Sequence, residues 1–220
     1  MAIWKFRFLA LLLFIFVGAT SMANLVAEFL RPNPLRPALT SSTAPLLEQI
    51  SATNLAAKIV PFRSDLKTDY AQALAGAALR TQARDGAEEQ KEAQNAILGA
   101  LAIGPRDSPL WLVLGVLRAR RSPVDPLIAE SLKMSYLTGL NQSQLIPIRL
   151  GVVTSNNSLT DSELGELARA DVRALLTQLP DGRKELLGDY QRASEVGKTF
   201  LEEAVAAIDP DFAATLRDKK

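Results

Sequence analysis

Two adjacent carboxylate pairs, Glu88-Glu89 and Glu202-Glu203, are the side chains whose type best suits acid–base or metal chemistry in this sequence. Neighbouring residues on a helix point about 100° apart, so such a pair does not converge on one proton or one ion and belongs instead to a solvated face. Histidine and cysteine are both absent, which removes the usual general-base dyads, thiol nucleophiles and common zinc sites. No glycine-rich loop of the phosphate-cradling kind stands ahead of a helix. The expectation is a non-enzymatic protein with no catalytic, metal-binding or cofactor-binding residues and no evident small-molecule substrate.

Charge narrows the partners further. Lys5 and Arg7 take two of the 25 basic residues, and the rest of the chain then balances 23 basic against 24 acidic side chains. A body this close to neutral does not capture nucleic acid electrostatically. The local run Arg118-Ala119-Arg120-Arg121 fits the last turn of a helix, where cations meet exposed carbonyls and the negative end of the dipole; an anion or lipid-headgroup site is the competing reading.

The address is written at the N-terminus. Phe8 to Ala27 are twenty consecutive residues without a charge. As an α-helix they would cover roughly the 30 Å hydrocarbon core of a bilayer. Two readings compete. Lys5 and Arg7, an apolar stretch from Phe8 to Val17 and small residues in Ser21-Met22-Ala23 have the form of a cleavable signal peptide. Apolar residues continue past that site as Leu25, Val26, Ala27, Phe29 and Leu30, which supplies a full span and favours an uncleaved signal anchor over residues 1–30. By the positive-inside rule the N-terminus is cytoplasmic and the body lies outside the cytoplasm. In a bacterium that is a single-pass inner-membrane protein with a periplasmic body.

Pro32, Pro34, Pro37 and Pro45 mark residues 31–45 as an extended linker that would hold the body slightly off the bilayer. Residues 46–210 read as one helical domain. Thr43 or Ala44 with Pro45 opens a helix, Ser64 can cap a second, and Asp85-Gly86 is a turn. Ala93, Ile97, Ala100, Leu101 and Ile103 share the face of a helix ended by Gly104-Pro105; Ser108-Pro109 starts another bearing Trp111, Leu114, Gly115 and Leu117. Asp125-Pro126 opens a helix running to Gly139, and a further helix starts near Ser143. Thr160 and Glu163 read as a capping box, Pro180-Asp181-Gly182 as a stop, and Leu186 to Ile208 as one long final helix before a tail at 211–220. Leu150 to Thr154 is the only strand candidate, so the fold class is all-α.

The spacing of Ala93, Ile97 and Ala100, the closing Pro105, and then Trp111, Leu114 and Gly115 resembles the tetratricopeptide repeat family. Ala129 corresponds to Ala93 36 residues on, near the repeat length. The resemblance implies antiparallel helix hairpins stacked by small residues, with a concave face that grips a peptide or partner domain. Ser131 to Leu150, with Ser135-Tyr136-Leu137-Thr138-Gly139 and Ile146-Pro147-Ile148-Arg149-Leu150, is also similar to small membrane-anchored alphaproteobacterial proteins linked to cell-surface polysaccharide production. That likeness marks Tyr136, Asn141 and Arg149 as candidate partner-binding residues. The plainer alternative is ordinary hairpin packing.

The functional expectation is a membrane-anchored, extracytoplasmic helical-repeat adaptor. It would bind a protein partner in an envelope complex, with polysaccharide assembly or export as the context the resemblance implies. Two alternatives stay open. One is a subunit held in a membrane assembly through its transmembrane helix, using Gly18, Ala19, Ser21 and Ala23 as a small-residue face. The other is a periplasmic chaperone for exported chains.

Overall fold

The computed structural model describes residues 2–31, 44–81, 86–140 and 142–217. Among them the chain is helical throughout, with eleven α-helices, two short 3-10 helices and no strand. Leu150 to Thr154 lies inside a helix, because Pro147 supplies a first-turn proline and Leu150 and Val153 face the same core. Two compact units divide the chain, Met1–Pro105 and Arg106–Lys220. The stretch 46–210 is therefore split, and the helices bearing Ala93 and Trp111 fall on opposite sides of the division.

The first unit begins with α1 (Ala2–Leu30), a single continuous helix of 29 residues. Its segment Phe6–Leu30 is long and apolar enough to cross a membrane. From Phe8 to Val17 its large apolar side chains are exposed, so no face of this stretch serves a protein core. Its polar groups turn inward on the helix itself: Thr20 Oγ1 donates to the Phe16 carbonyl at 3.0 Å and Asn24 Nδ2 to the Thr20 carbonyl at 2.8 Å. Each side chain thereby returns a donor to a backbone carbonyl one turn earlier.

The far end of α1 is different. Ala27 is fully buried in a cluster with Ala56 and Ala57 of α2 (Ala44–Ile59) and Leu66 of α3 (Ser64–Arg80). Small alanines allow that close approach. The body is thus not held away from the end of α1, since its first helices pack directly on it; residues 32–43 of the expected linker lie outside the described residues. Helix α3 then pairs antiparallel with α4 (Ala87–Leu101), as the start of one meets the end of the other where an added Gly104 Cβ would stand 3.2 Å from Ser64 Cβ. The expected turn at Asp85-Gly86 lies partly outside the described residues, and α3 is preceded by Arg63 rather than capped by the Ser64 side chain.

The second unit opens with α5 (Ser108–Arg121), capped by Asp107, whose carboxylate accepts from Leu110 N at 3.1 Å. It pairs antiparallel with α6 (Leu127–Thr138). A 3-10 helix, Ser143–Leu145, leads into α7 (Ile146–Ser155), and a second, Asn157–Thr160, into α8 (Ser162–Gln178). Asp161, not Thr160, caps α8 by accepting from Leu164 N at 3.0 Å. The last segments are α9 (Gly182–Arg192), α10 (Glu195–Ala206) and α11 (Pro210–Arg217). One long helix was expected where α9 and α10 stand. It breaks because Ser194 donates through both its backbone N and its Oγ to the Thr154 carbonyl, each at 2.9 Å, while Oγ caps α10 by accepting from Gly197 N. The expected tail from 211 is mostly helix α11, since Ala213 and Leu216 are buried in the same core as Leu132, Leu150, Val172, Leu186 and Leu201.

Candidate functional site

The most concentrated chemistry lies inside the second unit, around Arg149. Helix α7 carries this side chain into the interior, where it is 0% exposed. An unpaired cation there would be very unfavourable, so its donors need fixed acceptors. Nε donates to Ser135 Oγ at 3.1 Å. Nη2 donates to Ser108 Oγ, to the Ser135 carbonyl and to the Gly139 carbonyl, each at 2.8 Å. Ser108 passes the chain of bonds on, its hydroxyl donating to the Ser135 carbonyl at 2.7 Å. The guanidinium also lies over the Tyr136 ring, 4.7 Å from its centroid, an arrangement that offsets part of the desolvation.

Tyr136, likewise 0% exposed, carries the network to α8 by donating its hydroxyl to Asp171 Oδ2 at 2.7 Å. Burial raises the Asp171 carboxyl to about 6, against the lowering effect of the Tyr136 bond and the Arg149 charge. Burial also pushes the Tyr136 phenol well above its ordinary value, and it lowers Arg149. Four helices, α5, α6, α7 and α8, thus share one polar cluster. Its groups are sealed from solvent and tie the four helices together.

Tyr136 and Arg149 were expected to touch a partner, and the structure buries both. The reason is the acceptor set: Ser108, Ser135 and Gly139 take the Nε and Nη2 donors inside the unit, while Nη1 is buried without a hydrogen-bond partner. Asn141 lies outside the described residues. What the cluster does present is the chain around it. Leu137, Leu140 and Ile148 are 69%, 59% and 52% exposed, and they flank the α6–α7 connection that Arg149 ties down through Gly139. Gly139 belongs there for steric reasons, because a Cβ would stand 2.5 Å from Ser108 Cβ and Oγ.

Other charged groups have local tasks. Arg118, in the last turn of α5, donates to the Leu127 carbonyl at 2.9 Å and to Ser131 Oγ at 2.5 Å, stapling α5 to α6. Glu202 accepts from the Tyr190 hydroxyl at 2.7 Å and from Arg217 Nε at 3.0 Å, linking α9, α10 and α11. Glu88 and Glu89 lie in the first turn of α4, where the helix dipole favours them. Lys133 bridges to Asp161 at 2.8 Å and holds that carboxyl below its usual range.

Of the remaining members, the sequence reads Ser108 only as a helix start and Ser135 and Gly139 only as parts of the Ser131 to Leu150 segment, and it does not mark Asp171 at all. Ser108 lies 41 residues from Arg149 and Asp171 35 residues from Tyr136, so only the fold brings them together. Comparison with protein-family models, with curated proteins and with solved structures finds no match to this chain.

Proposed function

We propose that this chain is a membrane-anchored helical adaptor whose body works outside the cytoplasm and binds a protein partner in an envelope complex. The observation that carries the reading is α1, an exposed apolar helix of spanning length whose last turn is built into the core of α2 and α3. An anchor joined to the body in this way holds a binding surface near the bilayer at high effective concentration. The antiparallel pairs α3–α4 and α5–α6, which approach closely at Ala and Gly positions, support the tetratricopeptide-like part of the proposal. Leu137, Leu140 and Ile148 are the side chains we assign to the partner surface, with Arg149 and Tyr136 as their internal support. Polysaccharide assembly or export is the context suggested by the Ser131 to Leu150 segment.

A second reading rests on the open surface at Gly18, where an added Cβ would meet nothing within 4 Å. There the anchor itself packs on a partner helix. Crosslinking followed by affinity purification from intact membranes tests both. Recovery of the same membrane partner with the native chain and with a chain carrying an unrelated anchor in place of Phe8 to Ala27 supports the adaptor. Recovery with the native anchor alone supports the second reading, broad capture of unrelated unfolded chains points to a chaperone, and no reproducible partner contradicts all three.

A further inference from the structure

We infer that the turn between α2 and α3, with Phe62 at its tip, is a second membrane contact that seats the first unit on the bilayer surface. The inference rests on the anchor reading of α1 and on the direction in which α3 leaves it. Arg63 Nη2 meets Glu28 Oε2 at 3.1 Å, whereas Arg31, three residues on and just past the end of α1, meets Asp65 at 3.4 Å and Asp69 at 2.6 Å. Later residues of α3 therefore pair with later residues at the end of α1, so α3 rises in the same sense as the anchor. The turn before it points back toward the membrane side. Partial burial of Ala23 and Asn24, one turn before Ala27, is consistent with the end of α2 reaching down to that level.

The depth follows from helix geometry. With Phe8 at one boundary of the hydrocarbon, Glu28 stands about 30 Å away at the other. Arg63 is tied to that level, and Phe62 precedes it. Phe62 is 88% exposed, and Pro61 beside it is also exposed. An aromatic ring held at the boundary between headgroups and acyl chains gains from burying its face there, as aromatic belts do. Lys58, exposed in the last turn of α2, is placed to meet lipid phosphates. The occupant of this apolar tip is thus the bilayer that α1 already crosses.

The absence of cysteine permits a direct test by single spin labels on the full chain in lipid bilayers. Labels at Phe14→Cys, Phe62→Cys and Leu47→Cys report the anchor, the turn and the far end of α2, and circular dichroism checks that each variant is folded. The expected result is a ratio of oxygen to nickel-chelate accessibility at 62 severalfold above that at 47 and below that at 14. A ratio at 62 equal to that at 47, with 14 still lipid-exposed, overturns the second contact and leaves the anchor intact. A water-exposed label at 14 overturns the anchor and the contact together.

Discussion

Arg149 Nη2 donates to the Gly139 carbonyl at 2.8 Å, so a cation on α7 holds the backbone at the end of α6. The same nitrogen reaches Ser108 at the start of α5. Charge-assisted bonds of this kind are about twice as strong as neutral ones, and losing a buried partner costs more than the bond itself. Arg149→Met takes one of two donors from each of the Ser135 and Gly139 carbonyls, which keep Ser108 Oγ and Gln142 N, and removes the bonds that tie α7 to α5 and α6 under Leu137, Leu140 and Ile148. We expect a loss of about 3 kcal/mol, read from urea unfolding of the full chain in detergent by circular dichroism. Arg149→Lys, which has no planar fork, should recover only part of it.

Asp171 gives the second unit a pH response. Its carboxyl titrates near 6 in the folded chain, and about two units lower when unfolded. The folded state therefore holds the proton more tightly. Its contribution favours folding at low pH and is lost as pH rises through about 6, for a change on the order of 2–3 kcal/mol between pH 4 and pH 7. Asp171→Asn keeps an acceptor for the Tyr136 hydroxyl and should flatten that slope. Denaturation midpoints across this pH range check it, and an unchanged slope would show that Asp171 is ionised throughout.

Two glycines should respond in opposite ways to alanine. An added Cβ at Gly197 would stand 2.0 Å from the Thr154 carbonyl oxygen, a backbone atom that cannot step aside. Gly197→Ala should cost about 2–3 kcal/mol, separating α10 from the end of α7. At Gly99, exposed in α4, a Cβ meets nothing within 4 Å. Gly99→Ala should stabilise by about 0.5–1 kcal/mol through helix propensity. Thermal melts of the two variants beside the parent chain decide both.

Ala27 joins α1 to α2 and α3, and it tolerates no larger side chain. It is fully buried against Ala56, Ala57 and Leu66. Ala27→Phe should force α1 away from α2 and α3. The Glu28–Arg63 and Arg31–Asp69 pairs should then open, and limited tryptic proteolysis of the protein in lipid bilayers should cut after Arg31 and Arg63 several times faster, with the helical content unchanged.

The sequence made the long apolar N-terminal helix and most helix positions legible, because these depend on local pattern. The uncharged run to Ala27 marks α1, and Ser108-Pro109 marks the start of α5 to the residue. The break between α9 and α10 was harder to see. Ser194 followed by Glu195 is a start signal, yet its decisive partner is the Thr154 carbonyl, 40 residues away. The same limit applies to Arg149. A single arginine in an apolar segment reads equally as a surface residue or a buried clamp, and only the convergence of Ser108, Ser135 and Gly139 decides between them. The docking of Ala27 was hidden in the same way, since alanine carries no mark of what it will pack against.

The fate of residues 1–23 tests the anchored reading most directly. Intact-mass spectrometry of the protein extracted from alkaline-washed membranes should find the N-terminal segment through Ala23 still attached to the body. A mature chain beginning at Asn24 and released in the wash would contradict the membrane-anchored adaptor.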